Sequence, residues 1–220
     1  MEMMEQSFGN YIYDNENKSL FEKLKSLSKN ELCKYSPVGL FGDIGTGKTC
    51  LLNAIKDKLQ GEHPELKILS INAESYLQEF ITSLKNGTLQ DFKEEYRSLD
   101  ALFIDDLDYL KFKDSTQEEL YYTLKALMEK GSVIVYTSIH SLKQKVFSQR
   151  LASILKIGFN IETPQPSEEI KVSKIKQFFH DNYIALEESD IIKLASQAKN
   201  MFELEGLLKK TKFLEQCKKQ

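Results

Sequence analysis

Gly42-Asp43-Ile44-Gly45-Thr46-Gly47-Lys48-Thr49 has the residue types and spacing that hold phosphate. The pattern is GxxxxGK[ST], a Walker A loop. Glycines at 42, 45 and 47 let backbone N–H groups curl toward phosphate oxygens where a Cβ would clash. Lys48 is placed to reach the β- and γ-phosphates of a nucleoside triphosphate, and the Thr49 hydroxyl to hold Mg²⁺. The apolar run Val38-Gly39-Leu40-Phe41 before the loop reads as a strand, and Cys50-Leu51-Leu52-Asn53-Ala54-Ile55 after it as a helix. That helix adds the positive end of its dipole to the anion site. Asp43, Ile44, Thr46 and Cys50 complete the set of loop positions expected at ATP or ADP, with the Cys50 thiol packed rather than reactive.

A phosphate loop of this kind needs an acidic partner. Ala101-Leu102-Phe103-Ile104-Asp105-Asp106 supplies one, an apolar strand ending in two carboxylates. Many buried strands end in acidic turns, so the run gains meaning from the loop upstream. Asp105 is expected to hold Mg²⁺, directly or through water, and Asp106 to position the attacking water.

The remaining elements alternate strand and helix. Leu66, Ile68, Leu69 and Ile71 give a buried strand. In 73–85, Tyr76, Leu77, Phe80, Ile81 and Leu84 form an apolar helical stripe, closed by Asn86-Gly87. A further helix over 88–98 leads to the acidic strand. A helix begins near Ser115-Thr116-Gln117-Glu118 and ends before Gly131, and Val133-Ile134-Val135-Tyr136 is the next strand. The pattern predicts one helix over 143–155 and a short strand at Phe159-Asn160-Ile161. Thr163-Pro164-Gln165-Pro166-Ser167 breaks both helix and sheet. Helices are expected beyond it at 167–182, 188–198 and 201–217. The fold class is therefore α/β: a P-loop three-layer αβα sandwich on a five-stranded parallel sheet over 1–163, then a small three-helix lid over 164–220. The appended helices suit an AAA+ ATPase better than a simple P-loop kinase or GTPase.

Composition narrows the field. With 220 residues, one domain and an appendage are expected. The net charge of −3 gives no overall field favouring nucleic acid or acidic membranes. Cys33, Cys50 and Cys217 are too scattered for a disulfide framework or a zinc site, and His63, His140 and His180 lack metal-ligand spacing. No apolar run is long enough to span a bilayer, and the acidic N-terminus lacks a signal-peptide pattern, so the cytoplasm is the expected address.

The chain resembles the ATPase domain of the DnaA family of bacterial replication initiators. Residues 41–55 and 95–107 carry the likeness, with Thr116-Gln117-Glu118-Glu119 and, in the lid, Glu203-Leu204-Glu205-Gly206. Ser7-Phe8-Gly9-Asn10-Tyr11 with Asn17 resembles the family's opening segment near the adenine. The resemblance implies ATP or ADP with Mg²⁺, a polar sensor at Ser138, and contacts with other AAA+ replication proteins. It also implies a strand-separating surface for single-stranded DNA, whose apolar position falls on Ile81 and one basic position on Lys113; a second falls on Ser115. For Ile81 a plain core role is the competing reading.

Two charges of the family are missing. The arginine-finger segment reads Arg-Leu, two residues, Arg-Phe; here it is Arg150-Leu151-Ala152-Ser153-Ile154-Leu155, with Ile154 at the finger position. The lid's sensor-2 arginine is replaced by Phe202. Neither apolar side chain stabilises charge on a transferring phosphoryl group, so hydrolysis is expected to be slow at most. The helix-turn-helix that follows the lid in the family is not matched before Gln220, so sequence-specific duplex binding is not expected. The reading is a DnaA-like ATP-binding protein in replication initiation or its regulation, as in stand-alone regulators of the Hda type. The alternatives are a helicase loader of the DnaC type or a single-stranded-DNA-binding initiator ATPase.

Overall fold

A computed structural model describes residues 18–218; the opening segment at residues 7–11 and Asn17 lies outside them. Helices α1 (Lys18–Ser26) and α2 (Lys29–Tyr35) come first. A capping box starts α2: the Ser28 hydroxyl accepts from the Glu31 N–H and the Glu31 carboxylate accepts from the Ser28 N–H. Next come β1 (Val38–Phe41), α3 (Lys48–Glu62), β2 (Ile68–Asn72), α4 (Ala73–Asn86), α5 (Leu89–Arg97) and β3 (Ala101–Asp105). A 3-10 turn at Leu107–Leu110 leads to α6 (Asp114–Lys130), β4 (Val133–Ser138), α7 (Gln149–Leu155) and β5 (Asn160–Glu162).

The strands form one sheet in the order β2-β3-β4-β1-β5, every pair parallel. Parallel neighbours require crossovers, and helices covering both faces explain why β3 and β4 are apolar nearly throughout. Leu102, Ile104, Ile134 and Tyr136 point into one core with Tyr76, Phe80, Phe92, Tyr96, Leu120, Leu124 and Leu151 of α4 to α7. Their alternates Phe103, Val133 and Val135 are buried on the opposite face, the side of α3. That is the expected three-layer αβα arrangement. Parallel strands also bring their carboxyl ends to one edge, where the loops after β1, β3 and β4 emerge.

Gly39 of β1 shows why register matters. Tyr136 and Asn160 flank it in the neighbouring strands, and the Tyr136 hydroxyl donates to Asn160 Oδ1 at 2.6 Å across it. A Cβ at Gly39 would collide with both groups.

Packing divides the chain into two units: Glu22–Gly42 with Lys48–Glu162, and Asp43–Gly47 with residues from Thr163 onward and the start of α1. The second contains α8 (Glu168–Asp181), α9 (Glu188–Gln197) and α10 (Met201–Lys218), joined over a small core that includes Ile175, Phe179, Ile191, Leu194, Leu204 and Leu208. Ser167 caps α8 by accepting from the Ile170 N–H. Among the described residues no helix is long and apolar enough to cross a membrane.

Two local expectations are corrected. Residues 143–155 are not one helix: a 3-10 turn at Leu142–Gln144 ends with Lys145 at φ 52°, and α7 starts afresh after the N-cap Ser148. Ile81 is not core. Tyr76, Phe80 and Ser83 are the inward face of α4, and Ile81 is 40% exposed beside exposed Leu84.

Candidate functional site

Gly45 and Gly47 stand at φ 76° and 86°, the left-handed region in which glycine carries no Cβ penalty. A side chain at Gly45 would in addition meet the Asn200 side chain at 2.9 Å. Within this stretch the Ile44 N–H donates to Asp43 Oδ1 at 2.8 Å and the Thr46 hydroxyl to the Asp43 carbonyl at 3.0 Å. Gly42 begins the loop from the sheet, its N–H donating to the Ser138 carbonyl at 3.2 Å.

Lys48 opens α3 and is buried, with its ammonium donating to the Gly42 carbonyl at 2.8 Å. The Thr49 hydroxyl points at Asp105, 2.9 Å from Oδ2 and 3.2 Å from Oδ1. The first turn of α3 and the last residue of β3 thus bring the Thr49 hydroxyl and the Asp105 carboxylate side by side. Both are hard oxygen donors suited to Mg²⁺. That cation keeps several waters and takes phosphate oxygens besides one or two protein ligands. Accordingly the fit does not require a full cage, and among the described residues no group of three or more His, Cys, Asp or Glu forms one. Cys50 is half-buried on the next position of α3.

Asp106 lies just past β3 in the left-handed conformation, φ 53° and ψ 52°. Partial burial raises its pKa above the ordinary aspartate value; Asp105 and Asp108 add to the rise and Lys48 opposes it. Its N–H donates at 2.8 Å to the Thr137 hydroxyl, which in turn donates at 2.5 Å to Asp105 Oδ1.

Ser138, the residue expected to orient water, sits elsewhere. Its hydroxyl lies 2.8 Å from the His140 carbonyl and 3.1 Å from Asp108 Oδ1, and accepts from the His140 N–H at 3.2 Å. Asp108 also meets His140 Nδ1 at 2.7 Å and accepts from the Ile139 N–H. Successive strand side chains point to opposite faces, so only one of Thr137 and Ser138 can face Asp105. The register pairs Ile104 with Tyr136, which sets Asp105 beside Thr137. Sequence reading missed Thr137 and Asp108; the β3–β4 register was the signal that finds the first.

At the finger position, Ile154 is 4% exposed and belongs to the core under the sheet. It is therefore not on the surface that a finger side chain would have to reach. Arg150 is exposed and donates to Glu118 at 2.7 Å, tying α7 to α6. Phe202, in the sensor-2 place, is 73% exposed on α10.

Residues 3–162 match the family of the bacterial DnaA ATPase domain. The chromosomal replication initiator protein DnaA of Borrelia garinii subsp. bavariensis is 36% identical over 209 residues, covering 94% of this chain and 43% of that protein. The chain therefore spans about two fifths of the length of the curated relatives it matches. Domain III of the Thermotoga maritima replication initiation protein DnaA superposes with a TM-score of 0.82 at 27% identity, over 92% of this chain and 85% of that one. A replication initiator DnaA solved with AMPPCP and single-stranded DNA superposes with a TM-score of 0.79 at 26% identity, over 93% of this chain and 63% of that one.

Proposed function

The chain belongs to the family of the bacterial DnaA ATPase domain, and on that premise we propose that it binds ATP and ADP with Mg²⁺ and acts in chromosomal replication initiation or its regulation through contacts with other AAA+ subunits. The observation that carries the nucleotide reading is the Thr49 hydroxyl set 2.9 Å from the Asp105 carboxylate at the start of α3. The AMPPCP found on a DnaA relative of the same fold supports it.

In this reading Lys48 exchanges the Gly42 carbonyl for β- and γ-phosphate oxygens, and the loop N–H groups hold the remaining oxygens. Thr49 and Asp105 hold Mg²⁺, which neutralises phosphate charge when bound. Asp106 accepts a hydrogen bond from water and holds it for attack. No arginine stands at the finger or sensor-2 position, and an arginine finger contributes on the order of 10³–10⁵ in rate. Turnover by the isolated protein is therefore expected below about one per second.

The same residues set the direction of partner contacts. The chain keeps the side that accepts a finger and lacks the charge to donate one at the finger position, where Ile154 is apolar and buried. The test mixes the protein with a purified DnaA initiator and follows ATP turnover. Unchanged or lowered initiator turnover is expected, and stimulation would contradict the reading.

A second reading has its own support. Ile81 and Lys113 are both exposed on the β-sheet unit, so neither is consumed by the core. A solved DnaA relative carries single-stranded DNA. Anisotropy of a labelled single strand at physiological salt, with Ile81→Ser and Lys113→Ala, tests whether these positions contact DNA. Equal affinity of the variants and the wild type would remove this reading.

A further inference from the structure

We propose that Thr137 is a positioning residue that clasps the two Walker B aspartates and sets the carboxylate edge of Asp105 for the cation; the proposal rests on the nucleotide reading above. Thr137 is fully buried at the end of β4, after the apolar Val133-Ile134-Val135-Tyr136. A hydroxyl there is costly unless both its donor and its acceptor capacity are used. Both are spent on the same two residues. The Asp106 N–H is a donor, so at that contact the hydroxyl oxygen accepts. The one hydroxyl proton is thereby left for Asp105 Oδ1. A carboxylate that receives a proton donor on Oδ1, and Thr49 closest to Oδ2, has its plane fixed.

The clasp also acts on the backbone. Asp106 occupies the left-handed region at φ 53°, which disfavours a non-glycine residue. Its N–H bond to Thr137 holds the peptide in that turn, and with it the direction of the Asp106 side chain. One buried hydroxyl so couples the orientation of the cation ligand to that of the water-positioning residue, without touching nucleotide or water. Ser138 cannot substitute, since its hydroxyl is directed to Asp108 and His140.

Thr137→Val keeps the shape and removes the hydroxyl; Thr137→Ser keeps the hydroxyl. ATP binding is measured by calorimetry with Mg²⁺ and with EDTA. In the valine variant the gain in affinity conferred by Mg²⁺ is expected to fall about tenfold, about 1.4 kcal/mol, with binding in EDTA unchanged and the serine variant like the wild type. Amide exchange of Asp106 in the nucleotide-free protein, read by NMR, is expected to quicken in the valine variant alone. A valine variant with the full Mg²⁺ gain would overturn the proposal. So would equal losses with and without Mg²⁺, which mark damage to the sheet. A wild type that binds no nucleotide would defeat the nucleotide reading itself. Quickened Asp106 exchange in that case would leave Thr137 as packing only and overturn its positioning role.

Discussion

Asp106 concentrates the chemistry of the site at the scale of one residue. Its pKa is raised by partial burial, by Asp105 and by Asp108, against the opposing Lys48. The folded state therefore holds this proton more tightly than the unfolded chain. Stability from the protonated form is present in acid and lost as pH rises through the carboxylate range. Asp106→Asn removes that loss and suits the left-handed backbone. At pH 7 the nucleotide-free variant is expected to be more stable by about 0.5 kcal/mol, a figure kept small because the group is solvent-screened. Denaturant melts at pH 7 and pH 3 check this; the advantage should vanish at the lower pH, while turnover is lost. Gly42 to Thr49, Asp105 and Asp106 were legible because a motif fixes their spacing. Thr137 was not, because two adjacent hydroxyls differ only in which face of β4 they occupy.

Among elements, α6 and α7 explain the largest misreading. The apolar residues of 143–155 suggest one helix, yet Gln117 of α6 dictates the break. Its side chain, 1% exposed, donates to the Leu110 carbonyl at 2.8 Å and accepts from the Ser148 N–H at 2.7 Å. Ser148 in turn caps α7 by accepting from the Leu151 N–H. These bonds join distant parts of the chain and leave no local periodicity to read. Gln117→Leu leaves the Leu110 carbonyl with the Lys113 N–H alone and takes the acceptor from the half-buried Ser148 N–H, for an expected loss of about 1–2 kcal/mol, measurable by denaturant unfolding. Ile154→Arg places a guanidinium in the core beneath the sheet and is expected to cost about 3 kcal/mol, read as a lowered melting midpoint. An Ile154→Arg variant as stable as the wild type would show that this position reaches solvent. For α4, the apolar stripe is wider than the buried face, so Ile81 and Leu84 were ambiguous until packing assigned them outward.

For the whole molecule, strand-helix alternation and runs apolar on both faces made a parallel five-stranded sheet legible, and the Pro164–Pro166 break marked the helices beyond it. The order β2-β3-β4-β1-β5 was not, since which strand edges meet depends on crossovers that no local pattern encodes. That order brings the ends of β1, β3 and β4 together, and with them Lys48, Thr49, Asp105, Asp106 and Thr137. The central claim is that this constellation binds nucleotide. Calorimetry of the purified protein with ATP and with ADP, in Mg²⁺, tests it directly. The account predicts micromolar or tighter binding, roughly −8 kcal/mol, with about a hundredfold loss in Lys48→Ala. Absence of binding by either nucleotide, or a Lys48→Ala variant that binds as the wild type does, would contradict it.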